Sequence, residues 1–269
     1  MDAFSIVENE LESLQTKPHR LLEIGAGSGD FLKKLTKQYQ AEGVGIDPFA
    51  HEAPQDNPRL YKKTAEEVGS LRRWFDVVYS IRAFHHFTEP GRCLKALRSV
   101  LAWGGRCLLV DWHKGASTGY PEYYYSMEEA SEMMEKAGLH ILKRKRFGDL
   151  FLISATLNSW RVAVAADSTG GIIFQKMFGQ APQFQVYSLS LSSKPQLVET
   201  RRNPYEKTLQ HEKTFDVYKL VNDCPILVSS RIGKRGISRL EKMGVTLIFK
   251  QGPISSFLTS DFLENPFVL

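Results

Sequence analysis

With 269 residues, 42% hydrophobic and 24% charged, the chain has the composition of a globular protein and the length for one large domain or two small ones. No apolar run approaches the roughly 18 residues of a membrane helix, and three scattered cysteines (Cys93, Cys107, Cys224) with no CxxC pair argue against a disulfide scaffold and for a reducing cytoplasm. Residues 1–157 hold 21 Lys and Arg against 21 Asp and Glu, whereas residues 158–269 hold 14 against 9, so the net charge of +5 lies in the second half: enough to favour an anionic partner, too little for a nucleic-acid footprint.

The opening "MDAFSIVENELESLQTKPHR" is polar and acidic and lacks the basic start and apolar core of a secretion signal. "RLLEIGAG" then reads as a buried strand running into a glycine turn. "GDFLKKLTKQY" reads as an amphipathic helix with Phe31, Leu32 and Leu35 on one face. "GVGID" is a second strand, "FDVVYS" a third, "PGRCLKALRSVL" a helix and "GGRCLLVDW" a strand. "SMEEASEMMEKAG" is a helix that starts at Ser126, carries acids in its first turn and stops at Gly138. "LHILKRKRF" and "LFLISATL" close the unit as strands, with the cations of Lys143–Arg146 on a solvated strand edge. Apolar strands alternating with helices predict a parallel, doubly wound sheet covered on both faces.

At Asn158–Ser159 the pattern restarts. "WRVAVAAD" is a buried strand, "STGG" a turn, and "FQVYSLS" and "PQLVETRR" are two strands. "EKTFDVYKLVND", "KRGISRLEKMG" and "ISSFLTSDFLEN" read as helices, separated by the strands "PILVSS" and "VTLIF". Two α/β domains are therefore expected, 1–157 and 158–269, with no Gly/Ser-rich linker between them.

The chemistry of the first domain centres on "LLEIGAGSGDF". Gly25, Gly27 and Gly29 stand where a strand ends and a helix begins, so the backbone can turn tightly and approach a ligand. A dinucleotide fingerprint requires a third glycine at position 30, which is Asp30. Glu23 precedes the turn and disfavours a pyrophosphate. It suits a cationic or zwitterionic ligand. Asp47 ends the second strand 18 residues after Gly29, where a carboxylate can accept ribose hydroxyls.

Residues 18–157 resemble the class I S-adenosylmethionine-dependent methyltransferases. "LLEIGAGSG" and "GVGIDP" are similar to that family's first two motifs, and "TAEEVGSLRRWFDVVYSIRAFHHFTEPGRCL" to its third and fourth. The resemblance implies a Rossmann-like sheet and S-adenosylmethionine held by Glu23, Gly25, Gly27, Gly29 and Asp47. It implies that Ala65 and Glu66 flank the adenine, and that the backbone of Ser80 and Ile81 lies by the methionine end. The acceptor is then a small molecule that the motifs do not name. Because the sulfonium is already activated, a base is needed only for an acceptor with a proton of high pKa. His85, His86 and His113 follow strands at the sheet's carboxyl edge, each as a base or as pocket wall. "TGYPEYYYSMEE" offers an aromatic wall in Tyr120, Tyr123, Tyr124 and Tyr125, or simple packing.

Residues 160–265 resemble the dinitrogenase iron-molybdenum cofactor biosynthesis (NifX-like) family, through "FGQAPQF" and "DC…IGKRG…L…G". That implies a smaller RNase H-like α/β domain that binds or carries anionic, iron-sulfur-type cofactor precursors. Relatives place His before the "FG", where this chain has Met177. Cys224 and His211 remain as metal-ligand candidates, and "IGKRG" is a candidate anion cradle. The alternative to a methyltransferase is a cofactor carrier or scaffold whose first domain senses S-adenosylmethionine. A structural role, in which the second domain completes the active site or mediates homodimer formation, also stays open.

Overall fold

The computed structural model describes residues 1–190, 193–207 and 214–259. Two units emerge, Met1–Leu157 and a second beginning at Asn158.

In the first unit the chain runs α1 (Ala3–Glu12), β1 (Arg20–Ile24), α2 (Asp30–Tyr39), β2 (Glu42–Asp47), β3 (Arg59–Lys62), β4 (Phe75–Ile81), α3 (Pro90–Ala96), β5 (Leu101–Trp112), α4 (Met127–Lys136), β6 (Leu139–Phe147) and β7 (Leu150–Leu157). Its sheet has the order β3-β2-β1-β4-β5-β7-β6. β1 to β5 are parallel, so their carboxyl ends and following loops share one edge. The expected parallel, doubly wound sheet is present in β1 to β5, and its far edge needs one correction. β7 runs antiparallel to both β5 and β6. The short turn between β6 and β7, with Gly148 at φ +63°, leaves no length for the crossover that parallel pairing demands.

Two elements in this unit escaped the sequence reading. α1 is amphipathic despite its acidic sequence: Ala3, Ile6, Val7 and Leu11 are buried on one face, against Leu21, Leu32, Leu35, Val77, Tyr79 and Val110. Asp2 caps it, its Oδ1 accepting from the N–H groups of Phe4 (3.0 Å) and Ser5 (3.1 Å). β3 is four residues long and only Leu60 within it is buried, too weak a pattern to read as a strand.

Other local features follow the sequence closely. Ser126 and Glu129 form a reciprocal capping box, with Glu129 N–H to Ser126 Oγ at 3.0 Å and Ser126 N–H to Glu129 Oε2 at 2.7 Å. Gly138 ends α4's turn at φ +89°. Lys143–Arg146 lie exposed on the edge strand β6. Each cation has a local partner: Lys143 with Glu10, Arg144 with Glu135 (2.9 Å), Lys145 over the Phe147 ring (4.9 Å) and Arg146 with the Gly148 carbonyl (2.8 Å).

The second unit contains β8 (Ser159–Ala166), β9 (Ile172–Ile173), β10 (Gln183–Ser190), β11 (Ser193–Arg202), α5 (Thr214–Lys219), β12 (Ile226–Ser229), α6 (Lys234–Lys242), β13 (Thr246–Phe249), β14 (Gly252–Pro253) and α7 (Ile254–Phe257). The main sheet runs β11-β10-β8-β12-β13. β10 is antiparallel to β8 and β11, while β12 is parallel to β8 and β13. The two-residue strands β9 and β14 pair with each other and were not anticipated. The helix expected over "ISSFLTSDFLEN" is described only as Ile254–Phe257; residues from 260 onward lie outside the described residues. "FGQ" is a short 3-10 turn, Phe178–Gln180, whose Phe178 is buried against Phe184, ring centroids 5.0 Å apart. Asn203, 2% exposed, secures this turn by donating its Nδ2 to the carbonyls of Gly179 (3.0 Å) and Ala181 (2.7 Å).

Leu11→Ala removes a buried anchor of α1 and is expected to destabilise the first unit by about 2–5 kcal/mol. Asn203→Ala leaves two carbonyls without their amide donor and costs about 1–3 kcal/mol in the second. Urea unfolding followed by circular dichroism reads both, and a loss under 0.5 kcal/mol, the scale of a neutral surface change, would contradict this account.

Candidate functional site

β1 delivers the chain to the glycine loop between its two sheet neighbours. The N–H groups of Gly25 (2.8 Å) and Ala26 (3.1 Å) donate to the Ile46 carbonyl of β2. Gly25 has φ +82°, and a Cβ there would lie 2.3 Å from the Ala83 Cβ just beyond β4. Glycine is thus required twice, by conformation and by space. Gly27, at φ +53°, has open space around its missing Cβ and donates its N–H to Asp47 Oδ2 at 3.0 Å. Asp47 Oδ1 accepts from the Phe49 N–H at 2.8 Å. The Asp47 carboxylate therefore holds the loop after β1 to the loop after β2, and each oxygen keeps a lone pair for another donor. Gly29, at φ +76°, caps α2 without a side chain.

Glu23 is placed differently from the acidic lip that the sequence suggests. It is 4% exposed and accepts from the Tyr79 hydroxyl at 3.2 Å. Burial pushes its carboxyl up to about 8, and the neighbouring Asp47 charge adds to the rise, while the Tyr79 bond opposes it. Tyr79, on β4, was not singled out from the sequence. The adjacent Ser80 and Ile81 are buried, and Ser80 Oγ has no hydrogen-bond partner among the described residues. Ala65 is buried at the start of the 3-10 turn Ala65–Leu71. Glu66 accepts the Glu89 N–H at 2.8 Å, tying that turn to the start of α3. Burial works to raise the Glu66 carboxyl, but backbone donors led by Glu89 hold it below its ordinary value.

His85 and His86 form a 3-10 turn with Phe84 directly after β4. The buried Asp111, near the end of β5, organises that turn. Its Oδ2 accepts the His85 N–H at 3.0 Å, and its Oδ1 lies 2.8 Å from His85 Nδ1. Asp111 also went unnoticed in the sequence, although an acid in the apolar run "CLLVDW" signals a buried charge in need of partners. The aromatic segment folds over the same turn. The Tyr124 ring stands edge-on to His85 at 4.8 Å and Tyr125 packs on Phe84 at 5.3 Å, whereas Tyr120 and Tyr123 are exposed. Glu122, from this segment, places Oε2 3.5 Å from His85 Nε2 and Oε1 3.9 Å from His86 Nε2. A hydrogen bond from the Tyr124 hydroxyl (2.7 Å) holds the Glu122 carboxyl below its ordinary value. With a side chain only 3% exposed and Nε2 turned to Glu122, His85 is not an open base. His113 is engaged elsewhere, with Nδ1 2.8 Å from the Lys114 carbonyl and Nε2 3.8 Å from Glu128.

In the second unit, Cys224 is fully buried, and burial pushes its thiol far above the ordinary range. It belongs to no potential metal-ligand group among the described residues. His211 lies outside the described residues. Met177 is exposed and bridges to Arg231 at the approach to α6, its Cε 3.6 Å from where a Cβ on Gly233 would stand. Arg161 and Arg201 are committed to Asp223 and Glu199, so these cations of the basic half balance acids. No helix among the described residues is long and apolar enough to cross a membrane.

A family model described as "Methyltransferase domain" matches residues 3–144, and a second, described as "Dinitrogenase iron-molybdenum cofactor", matches residues 160–260. Among curated proteins, the chain is 33% identical over 103 residues to "Uncharacterized methyltransferase YcgJ" of Bacillus subtilis (strain 168), covering 35% of this chain and 40% of that protein. It is 25% identical over 153 residues to "Probable tocopherol O-methyltransferase, chloroplastic" of Oryza sativa subsp. japonica, covering 53% and 39%. The chain thus spans less than half the length of these relatives. A solved structure titled as a SAM dependent methyltransferase from Aquifex aeolicus aligns with a TM-score of 0.45 at 20% identity, covering 57% of this chain and 89% of that one.

Glu23 makes stability depend on pH. Its carboxyl rises from 4.5 to about 8 on folding, so the folded state holds the extra proton between those values. Stability from this group is fully present below 4.5 and is lost as pH rises through about 8. In Glu23→Gln the unfolding midpoint of the first unit loses that part of its decline, and an unchanged slope would contradict the burial of this carboxyl. Gly25→Ala must displace Ala83 and is expected to lower the same midpoint more than Gly27→Ala, which meets only the strain of positive φ.

Proposed function

Because the chain belongs to the methyltransferase-domain family through residues 3–144, we propose that it transfers the methyl group of S-adenosylmethionine to a small-molecule acceptor at the carboxyl edge of the first sheet. The observation that carries this reading is the Gly27–Asp47 bond. It leaves a glycine loop and a carboxylate side by side, where a ligand's backbone-facing and hydroxyl-bearing parts can both be received. The residues suit the group. Gly25 and Gly27 present bare backbone, Asp47 keeps lone pairs for ribose hydroxyls, and the Ser80 hydroxyl lacks a partner among the described residues. Ala65 and Glu66 are assigned to the adenine end, and Ser80 and Ile81 to the methionine end. Glu23 supplies a carboxylate for a cationic ligand.

When bound, S-adenosylmethionine supplies a sulfonium-activated methyl group for in-line displacement. The chain's share is to position the acceptor and exclude water. The loop carrying Tyr124 and Tyr125 over the turn after β4 supports the second of these tasks.

The match of residues 160–260 to the dinitrogenase iron-molybdenum cofactor model favours a second reading, in which the chain carries a metal-containing anion and the first unit senses S-adenosylmethionine. The described residues fit an iron-sulfur ligand set poorly. Cys224 is sealed in the core and Met177 offers only a thioether, a soft ligand. We therefore assign the second unit to binding or presenting an anionic ligand without Cys224 as a ligand.

Calorimetry with S-adenosylmethionine and S-adenosylhomocysteine is expected to give saturable binding that Asp47→Ala weakens at least tenfold, and no binding at millimolar ligand would reject the enzyme reading. A cation near Glu23 favours the ionised carboxylate, so binding S-adenosylmethionine near pH 7 should release protons. The apparent enthalpy then varies with the buffer's ionisation enthalpy, and Glu23→Gln removes that variation. Stoichiometric iron in anaerobically purified protein, lost in Cys224→Ala, would instead favour the carrier.

A further inference from the structure

We propose that His85, His86 and Glu122 form a binding site for one divalent first-row metal ion, of which Zn²⁺ is the probe. Their ligand atoms, one from each side chain, all lie within 4.8 Å of one another. An ion with bonds of about 2.0–2.2 Å to nitrogen and oxygen draws neighbouring ligand atoms to about 3–3.5 Å apart. The separations of 3.5 Å for His85 Nε2–Glu122 Oε2 and 3.9 Å for His86 Nε2–Glu122 Oε1 are close to that already. Two imidazoles and a carboxylate make a donor set of borderline softness, suited to zinc, cobalt or nickel rather than magnesium or calcium.

The second observation is the ring of groups behind the ligands. Asp111 is 1% exposed and occupies the Nδ1 side of His85, so Nε2 is the ring nitrogen that faces Glu122. His85 Nε2 and Glu122 Oε2 face each other across 3.5 Å, a separation that a proton on Nε2 or a metal ion between them fills. Carboxylate–histidine–metal order of this kind fixes tautomer and ring direction in metal sites. The Tyr124 hydroxyl orients Glu122 in the same way and is itself tied to Thr118 at 2.8 Å. His86 and Glu122 are exposed, so an ion has a route in, and three protein ligands leave a coordination position open.

The consequence is positional. His85 and His86 belong to the turn after β4, whereas Glu122 belongs to the aromatic segment after β5. One ion would pin that segment over the carboxyl edge of the sheet. The inference goes beyond the methyltransferase reading and does not rest on it, since none of the three ligands belongs to the set around Gly27 and Asp47.

The test uses full-length protein stripped with a chelator. Zn²⁺ affinity is measured by competition with a chromogenic chelator, and Co²⁺ loading by its visible absorption. Wild type is expected to bind one more ion per chain than His86→Ala or Glu122→Gln, and only wild type should show a zinc-dependent rise in unfolding midpoint. Asp111→Asn should weaken binding about 10- to 100-fold. If that variant does not fold, Tyr124→Phe keeps the ring and should weaken binding several-fold through Glu122 alone. Cys224→Ala should bind as wild type. Equal stoichiometry and affinity in wild type and Glu122→Gln would overturn the site and leave a proton as the cation shared there. Loss of all binding in Cys224→Ala would also overturn it and move the metal to the second unit.

Discussion

The first unit depends on the close approach of two loops at one sheet edge. β1 lies between β2 and β4, and the loops leaving β1 and β4 converge until Gly25 and Ala83 touch. The chain tolerates this only because position 25 has no side chain. From that contact the other features follow. Gly27 is turned to the Asp47 carboxylate, Gly29 opens α2, and the short turn holding His85 and His86 begins within two residues of Ala83. Strand order thus brings these loops together at the carboxyl edge of the sheet, the usual side for ligands in open α/β sheets.

Three acids near that edge divide the work by burial. Asp47 is partly exposed and accepts from the backbone N–H groups of Gly27 and Phe49. Glu23 is buried beside Tyr79 and keeps its proton to an unusually high pH. Asp111 is buried but surrounded by donors from His85 and Trp112, and it organises the turn after β4. The three carboxyl groups differ in burial and in the number of donors each environment supplies.

The second unit separates fold from cargo. The stretch "FGQAPQF" is a turn whose buried Phe178 and whose carbonyls, held by Asn203, account for its residues structurally. Met177 stands exposed beside this turn, and the one cysteine of the unit is core.

Much of this was legible in the chain itself. Glycine spacing, the acid ending β2, the Ser126–Glu129 cap and the restart after Leu157 are local signals, because backbone sterics, capping and hydrophobic period act over a few residues. α1 was obscured because its four acidic side chains (Glu8, Glu10, Glu12 and the capping Asp2) mask a narrow apolar stripe. β3 was too short to show a period, and the reversal of β7 depended on a turn length rather than on strand composition. Sequence by itself determined the glycine turn after β1, the acid that ends β2 and the second α/β unit that follows. Only the tertiary structure decided that Glu23 is buried, that Asp111 stands behind His85, and that Glu122 meets both histidines. These are contacts between residues 26 to 56 positions apart, and no local pattern encodes which distant side chain will supply a buried charge with its partner.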